Sequence, residues 1–275
     1  MPLRGKTIVM SGGSRGIGLA IALRAAREGA NIVLLAKTAE PNAKLSGTIF
    51  DAAEQIEAAG GRALPVVGDV RSDESIAEVV AKAVETFGGI DVCVNNASAL
   101  QPLGTLELAP SRYDLMQDIN VRGTFMLTRE CLPHLLQAEN PHVVTLSPPL
   151  NLDSQYWLAK FPGYLLSKYG MSLVTLSLAA EFRDKGIAIN SLWPRTTIAT
   201  DAVANLLGGE ETVMRSRFPA IVADAAYELI SAPSVQRTGQ LLIDDDVLRE
   251  AGVTDFAPYA VSGSDENLEG DFFLD

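Results

Sequence analysis

Short runs of apolar, often β-branched residues alternate along this chain with longer stretches whose apolar positions recur at helical spacing. Lys6 to Met10 reads as a strand and Ile17 to Glu28 as a helix, and this βα unit repeats. Asn31 to Ala36, Arg62 to Val67 and Ile90 to Val94 read as the next strands, with Leu45 to Ala59 and Glu74 to Phe87 as the helices between them. Farther on, Tyr113 to Leu136 and Gly163 to Arg183 have the period of long helices. His142 to Leu146 and Ile187 to Leu192 supply a fifth and sixth strand, and Gln240 to Ile243 a seventh. Strands apolar on both faces and separated by helices suit a parallel sheet covered on both sides, with a right-handed crossover at each step. The pattern therefore predicts a doubly wound α/β domain with a mostly parallel seven-stranded sheet and helices on both faces.

Two stretches depart from the alternation. Thr196 to Pro219 is polar and carries Gly208-Gly209, which reads as a mobile substrate-side segment rather than framework. The domain is expected to span residues 1–250 and to be followed by an acidic tail, 251–275, of poor order, with Phe272 and Phe273 free to dock on a neighbour. At 275 residues and 47% hydrophobic, the chain can bury one large core. With no membrane span or secretory signal legible, a cytoplasmic protein is expected. A formal charge of −12 argues against nucleic acid as a partner. Cys93 and Cys131 sit in apolar sequence and read as core residues, while His134 and His142 lack partners at ligand spacing, so no metal is expected.

Chemistry enters at Ser11-Gly12-Gly13-Ser14-Arg15-Gly16-Ile17-Gly18, where the first strand gives way to the first helix. Gly12 permits a tight turn, Gly16 lets the backbone approach a pyrophosphate, and Gly18 lets helix pack close to strand. The helix amino terminus attracts the anion. This makes the domain Rossmann-type, with Ser11, Gly12, Ser14, Arg15, Gly16, Ile17 and Gly18 as candidate cofactor contacts. At the end of the second strand, where an acidic residue commonly binds the ribose of NAD, stands Ala36-Lys37-Thr38. A cation there, with Arg15, favours the extra phosphate of NADP(H), with NAD(H) the other option; alternatively Lys37 is simply solvated.

Tyr164 and Lys168 lie four residues apart, on one face of a helix. A nearby ammonium lowers the pKa of a phenol, so that Tyr164 can donate a proton to a carbonyl oxygen or remove one from an alcohol.

The glycine turn with its Gly-x-x-x-Gly-x-Gly spacing, Gly68-Asp69-Val70, Asn95-Asn96-Ala97, Ile119-Asn120-Val121-Arg122-Gly123 and Tyr164-x-x-x-Lys168 together resemble the short-chain dehydrogenase/reductase family over nearly the whole chain. The resemblance implies that Asp69 and Val70 hold the adenine and that Asn95 to Ala97, Asn95 and Ala97 above all, line the adenosine side. It implies that Tyr164 is the acid/base, that Lys168 tunes it and binds the nicotinamide ribose, and that Asn120 positions a water relaying protons to Lys168. Pro194 would lie beside the nicotinamide with one of Thr196, Thr197 and Thr200, Thr197 being the expected contact and the register open by one.

The family's substrate-holding serine is missing. Pro148 falls at its position, so Ser147, Ser154 or no serine takes its part. Trp193-Pro194-Arg195 replaces the family's usual Pro-Gly, and Arg195 either binds an anionic substrate group or points into solvent. These departures resemble one branch of the family, some members of which carry a sterol-carrier domain at the carboxyl end; none is expected within these 275 residues. The expected function is an oxidoreductase interconverting a carbonyl and a secondary alcohol on an unidentified small molecule, a lipid-like one among the options. The alternative is a dinucleotide-binding protein with little turnover. The two long helices are of the kind that pair between subunits, giving a homo-oligomer, dimer or tetramer.

Overall fold

Thr7–Ser11 forms β1 with every residue buried, because alternate side chains meet an apolar layer on each face of the sheet. Ile8 and Met10 face one layer and Val9 the other; in the next strand Ile32 and Leu34 divide from Val33 and Leu35 in the same way. A computed structural model describes residues 2–41 and 46–275. After β1 follow α1 (Gly16–Ala26), β2 (Asn31–Ala36), α2 (Ile49–Ala58), β3 (Arg62–Val67), α3 (Asp73–Phe87) and β4 (Val92–Asn95). Then come α4 (Pro110–Met116), a π-helical segment (Gln117–Arg122), α5 (Gly123–Leu135), β5 (His142–Leu146), α6 (Gln155–Ala159), α7 (Pro162–Glu181) and β6 (Ala188–Trp193). The chain continues through α8 (Asp201–Leu206), α9 (Gly209–Met214), α10 (Ala220–Ser231), β7 (Leu241–Ile243) and α11 (Asp244–Glu250).

The strands lie in the order β3-β2-β1-β4-β5-β6-β7, and every pairing is parallel. The chain is thus a doubly wound, Rossmann-type α/β domain. Helices α1, α2, α10 and α11 cover one face through residues such as Ile21, Ile56, Ile221 and Val247. Helices α3, α5 and α7 cover the other through Val79, Leu127, Cys131 and Leu178. Cys93 and Cys131 are free and buried, as expected. In a parallel sheet all carboxyl ends share one edge, and the winding reverses between β1 and β4, which opens a crevice there.

Four expectations about the fold need correction. The helix expected over Tyr113 to Leu136 begins at Pro110 and is interrupted by the π-helical turns that contain Asn120. The helix expected from Leu45 starts at Ile49, because Thr48 and Asp51 form a capping box; Leu45 itself lies outside the described residues. Thr196 to Pro219 is not loose polar chain. It contains α8 and α9 and is pinned by Thr197 N–H to Glu269 O at 2.9 Å and Arg217 N–H to Thr197 O at 3.0 Å.

The acidic tail is also ordered, and its docking is on this chain rather than on a neighbour. Phe256, Ala260 and Phe273 are buried. Gly270 bridges to Thr196 and Ala260 to Arg217. Acidic composition suggested solvation, but part of the charge is paired with the rest of the domain: the Arg217 guanidinium meets Asp265 at 2.6 Å.

Candidate active site

The glycine turn has the shape its spacing implied. Gly12 and Gly16 have φ of +73° and +56°, a left-handed backbone that only glycine adopts freely. A Cβ on Gly18 would lie 2.5 Å from Asn96 Nδ2 and 2.7 Å from Gly12 O, and one on Gly12 would lie 2.9 Å from Ala97 Cα. The chain leaving β4 braces this turn. Asn96 Nδ2 donates to Gly12 O at 2.7 Å, and the Ser11 hydroxyl accepts from the Ala97 N–H at 3.2 Å. The Asn95 side chain instead turns into the core and donates to Thr128 Oγ1 at 2.8 Å. Helix α1 starts without a side-chain cap, so its first N–H groups are left for an anion. Ser14 is buried and Ile17 half-buried beside it, while Arg15 reaches out to the carbonyls of Ser46 and Gly47, each at 3.0 Å. These features fit a dinucleotide pyrophosphate.

Lys37, just past β2, is not a lone solvated cation. Its Nζ lies 3.1 Å from Asp69 Oδ2, and the same carboxylate takes the Arg71 guanidinium at 2.6 Å. Arg71 above all, then Lys37, holds the Asp69 carboxyl well below the usual carboxylate range, against the opposing effect of burial. Arg71 went unnoticed in the sequence; the only signal was its place two residues after Asp69. Val70 is buried against Gly123, where a Cβ would come within 3.0 Å of either Val70 methyl.

Tyr164 and Lys168 sit one turn apart on the amino-terminal part of α7, and both are buried. Lys168 Nζ donates to the Leu146 carbonyl at the end of β5 at 2.6 Å and lies 4.8 Å from the Trp193 ring centre. Burial pushes the Lys168 ammonium down to about 7, partly offset by the Asp271 carboxylate. The Tyr164 phenol goes the opposite way from expectation. Burial first, then Asp271, push it well above its ordinary value, so no lowering by Lys168 appears while the site is covered. Asn120, fully buried in the π-helical segment, accepts from Ala99 N–H at 2.7 Å and donates to Ala99 O at 3.0 Å and Ser167 Oγ at 2.9 Å. Ser167 passes on to the Tyr164 carbonyl at 2.8 Å. With its amide spent in this way, the Asn120 side chain clamps α7 to the chain after β4 rather than reaching toward Lys168.

The replacements for the absent serine now separate. Ser147, directly after the carbonyl that holds Lys168, is fully buried, and its hydroxyl has no partner among the described residues. The Pro148 carbonyl accepts from Ser172 at 2.6 Å. Ser154 caps α6 and donates to Asp275 at 2.9 Å, so its hydroxyl is committed. Beyond β6, Pro194 is buried, and Thr197 pairs with Ser216 at 2.8 Å, whereas the buried Thr196 hydroxyl lacks a partner among the described residues. Of the two threonines, only Thr196 therefore has a hydroxyl not committed to a partner among the described residues. Arg195 neither faces solvent alone nor awaits a substrate anion, since it pairs with Asp245 and Asp246, each at 2.6 Å.

The parts of the cleft that sequence reasoning missed come from the end of the chain. Phe272 and Phe273 lie 6.2 and 5.8 Å from Tyr164, ring centre to ring centre. Asp271 precedes them, its own carboxyl pushed up to about 7 mainly by burial.

A glycine-cradled crevice at the switch point of a parallel sheet, with a buried Tyr-Lys pair beyond β5, describes one class of nucleotide-dependent oxidoreductase. The family model for short chain dehydrogenase matches residues 6–210, and the chain belongs to the short-chain dehydrogenase/reductase family. Within it, the chain is 51% identical over 99% of its length to hydroxysteroid dehydrogenase-like protein 2 of Danio rerio, covering 65% of that protein. Across such relatives the chain spans about half to two thirds of their length. A crystal structure from Xanthomonas campestris superposes with a TM-score of 0.96 at 52% identity, each chain covered in full. A short chain dehydrogenase from Mycobacterium thermoresistibile superposes with a TM-score of 0.93 at 53% identity, covering 99% of this chain and 96% of that one. The likeness to this branch agrees with the departures seen in the sequence. No helix among the described residues is long and apolar enough to cross a membrane, and no described cluster of His, Cys, Asp and Glu is fit to hold a metal ion.

Proposed function

We propose that this protein interconverts a carbonyl and a secondary alcohol with NADP(H), on a small and largely apolar substrate. The observation that carries the reading is the Tyr164-Lys168 pair, buried one turn apart beside a glycine turn shaped for a pyrophosphate. When bound, the nicotinamide supplies or accepts the hydride. The protein's own part is to hold the cofactor and move one proton. Ser11, Gly12, Ser14, Arg15, Gly16, Ile17 and Gly18 would form the pyrophosphate cradle. Asp69, Val70 and the backbone at Asn95 and Ala97 would hold the adenosine end, with Pro194 and the threonine pair Thr196 and Thr197 near the nicotinamide. Tyr164 donates its phenolic proton to the carbonyl oxygen as negative charge builds there, and takes it back from an alcohol in the reverse direction. A phenol raised by burial stays protonated at neutral pH, which suits the donor role. Lys168 stabilises the phenolate that remains and binds the ribose, held in place by the Leu146 carbonyl.

The lean to NADP(H) over NAD(H) rests on charge. Lys37 and Arg71 flank one carboxylate, Asp69, which leaves a net positive edge where the extra phosphate would lie. A homo-oligomer built on α5 and α7 is supported by Phe125, Leu166 and Leu173, large apolar side chains exposed on these helices. The test is oxidation of NADPH over a broad panel of ketones and aldehydes, wild type against Tyr164→Phe. Turnover in the wild type and a loss of at least 100-fold in the variant, with NADPH affinity kept within about twofold, is the expected result. Equal turnover in both would overturn the role of Tyr164.

A further inference from the structure

The segment Glu269–Asp275 is attached in two different ways along its length. Glu269 and Asp271 are tied by main-chain bonds, Thr197 N–H to Glu269 O at 2.9 Å and Asp271 N–H to Arg195 O at 3.0 Å. From Phe272 onward the polar anchors are side chains instead. Trp193 Nε1 donates to Phe272 O at 3.0 Å, Trp157 Nε1 to Leu274 O at 2.8 Å, and Asn151 Nδ2 to Asp275 Oδ2 at 2.8 Å. Gly270 lies within the first part and bridges to Thr196, so the change of anchoring falls between Asp271 and Phe272.

What those anchors hold over the reaction centre is a pair of phenyl rings. Phe273, 1% exposed, is among the largest fully buried side chains. Its ring centre lies 5.4 Å from Tyr169, 5.7 Å from Trp157 and 5.8 Å from Tyr164. Phe272 fits between Phe161 at 5.6 Å and Trp157 at 5.8 Å. Phe161 and Phe273 both have left-handed backbone, with φ of +49° and +70°, a strained conformation for aromatic residues that only surrounding contacts maintain. A pair of flat apolar groups, seated in an aromatic nest against the Tyr164 ring and held by releasable side-chain bonds, has the form of a bound substrate.

We propose that Phe272 and Phe273 are a displaceable plug of the substrate site, and that a substrate enters by exchanging a flat apolar group beside its carbonyl or carbinol carbon for the Phe273 ring. This deepens the oxidoreductase reading and rests on it for the identity of the reacting centre. The substrate class is then a ketone or secondary alcohol next to an aromatic or alicyclic ring. The four side chains freed by the exchange, Trp157, Trp193, Asn151 and Ser154, give such a substrate a polar rim.

The chain has only two tryptophans, and both donate to this segment, so tryptophan emission reports its seating directly. Wild type is titrated with 1-phenylethanol and, for contrast, 2-propanol, without cofactor. The proposal predicts a saturable change in emission with 1-phenylethanol and none with 2-propanol. In Phe273→Ala the competing ring is gone, and 1-phenylethanol should bind at least fivefold tighter; Phe273→Leu, which keeps an apolar side chain, serves where the alanine variant does not fold and should bind at least twofold tighter. Emission indifferent to 1-phenylethanol, or an affinity unchanged by the variant that folds, overturns the proposal. Because no cofactor is present, these outcomes do not depend on whether NADPH binds, and a failure of the oxidoreductase reading would be seen separately in the NADPH titration.

Discussion

Lys168 illustrates how one buried residue links function to stability. Its ammonium is pushed down to about 7 by burial, so between that value and its ordinary 10.5 the unfolded chain binds more protons than the folded one. Stability contributed by this site therefore rises as pH rises from 7 toward 10 and is lowest at and below 7. A methionine of similar length carries no charge to desolvate. Lys168→Met should raise the unfolding midpoint at pH 7 by roughly 1–3 kcal/mol equivalent, an advantage that shrinks toward pH 9.5, while removing turnover. Denaturant melts of both proteins at the two pH values check this; a variant less stable at pH 7 would show that the bond to Leu146 O outweighs the desolvation cost. At the same scale, the sequence disclosed the spacing of Tyr164 and Lys168 but not their titration. The four-residue spacing predicted a neighbouring charge and a lowered phenol. It carried no sign of the tail that buries both groups and brings Asp271 beside them. Ser154 and Arg195 were ambiguous for a like reason, since their partners Asp275, Asp245 and Asp246 are distant in sequence.

The π-helical segment is where an element's irregularity serves the site. A regular helix through Gln117–Arg122 would lack the extra residue that lets the Asn120 amide turn inward, where it satisfies both the N–H and the C=O of Ala99 and also reaches Ser167. Asn120→Ala leaves those Ala99 groups unpaired in a buried place, and a loss of about 2–4 kcal/mol is expected, readable by thermal or denaturant melting. A loss under about 0.5 kcal/mol would show that the clamp contributes little. Strands and helices with an unbroken period were legible from the sequence, β2, β3 and β5 to the residue. The π segment was not, because it keeps the apolar period of the helix around it and owes its form to a bond across the molecule. The capping box that starts α2 at Ile49 was visible as Thr48-x-x-Asp51 but was overridden by the apolar Leu45.

For the molecule as a whole, the two long helices raise the question of assembly. Phe125, Leu166 and Leu173 are each 43–55% exposed on α5 and α7, a cost that a second copy would remove. Light scattering should give a mass of at least twice the 29.3 kDa chain, and Leu166→Arg with Leu173→Arg should reduce it to one; a monomeric wild type contradicts the oligomer. The parallel sheet and the helices on each face follow from the alternation of elements, whereas the seating of the last residues over the cleft does not. Their composition is acidic and interrupted by glycine, and only Phe272 and Phe273 hint at burial.

The central claim, that the glycine turn and the positive edge at Lys37 and Arg71 hold NADP(H), is tested most directly by fluorescence titration of the purified protein with NADPH and with NADH, wild type beside Lys37→Ala. The account predicts saturable binding with NADPH the tighter, and a loss of about 1–2 kcal/mol for NADPH alone in the variant, as for one charge-assisted contact. Binding of neither nucleotide would contradict the account at its root; equal affinities unchanged by the substitution would leave the cradle and remove the phosphate preference.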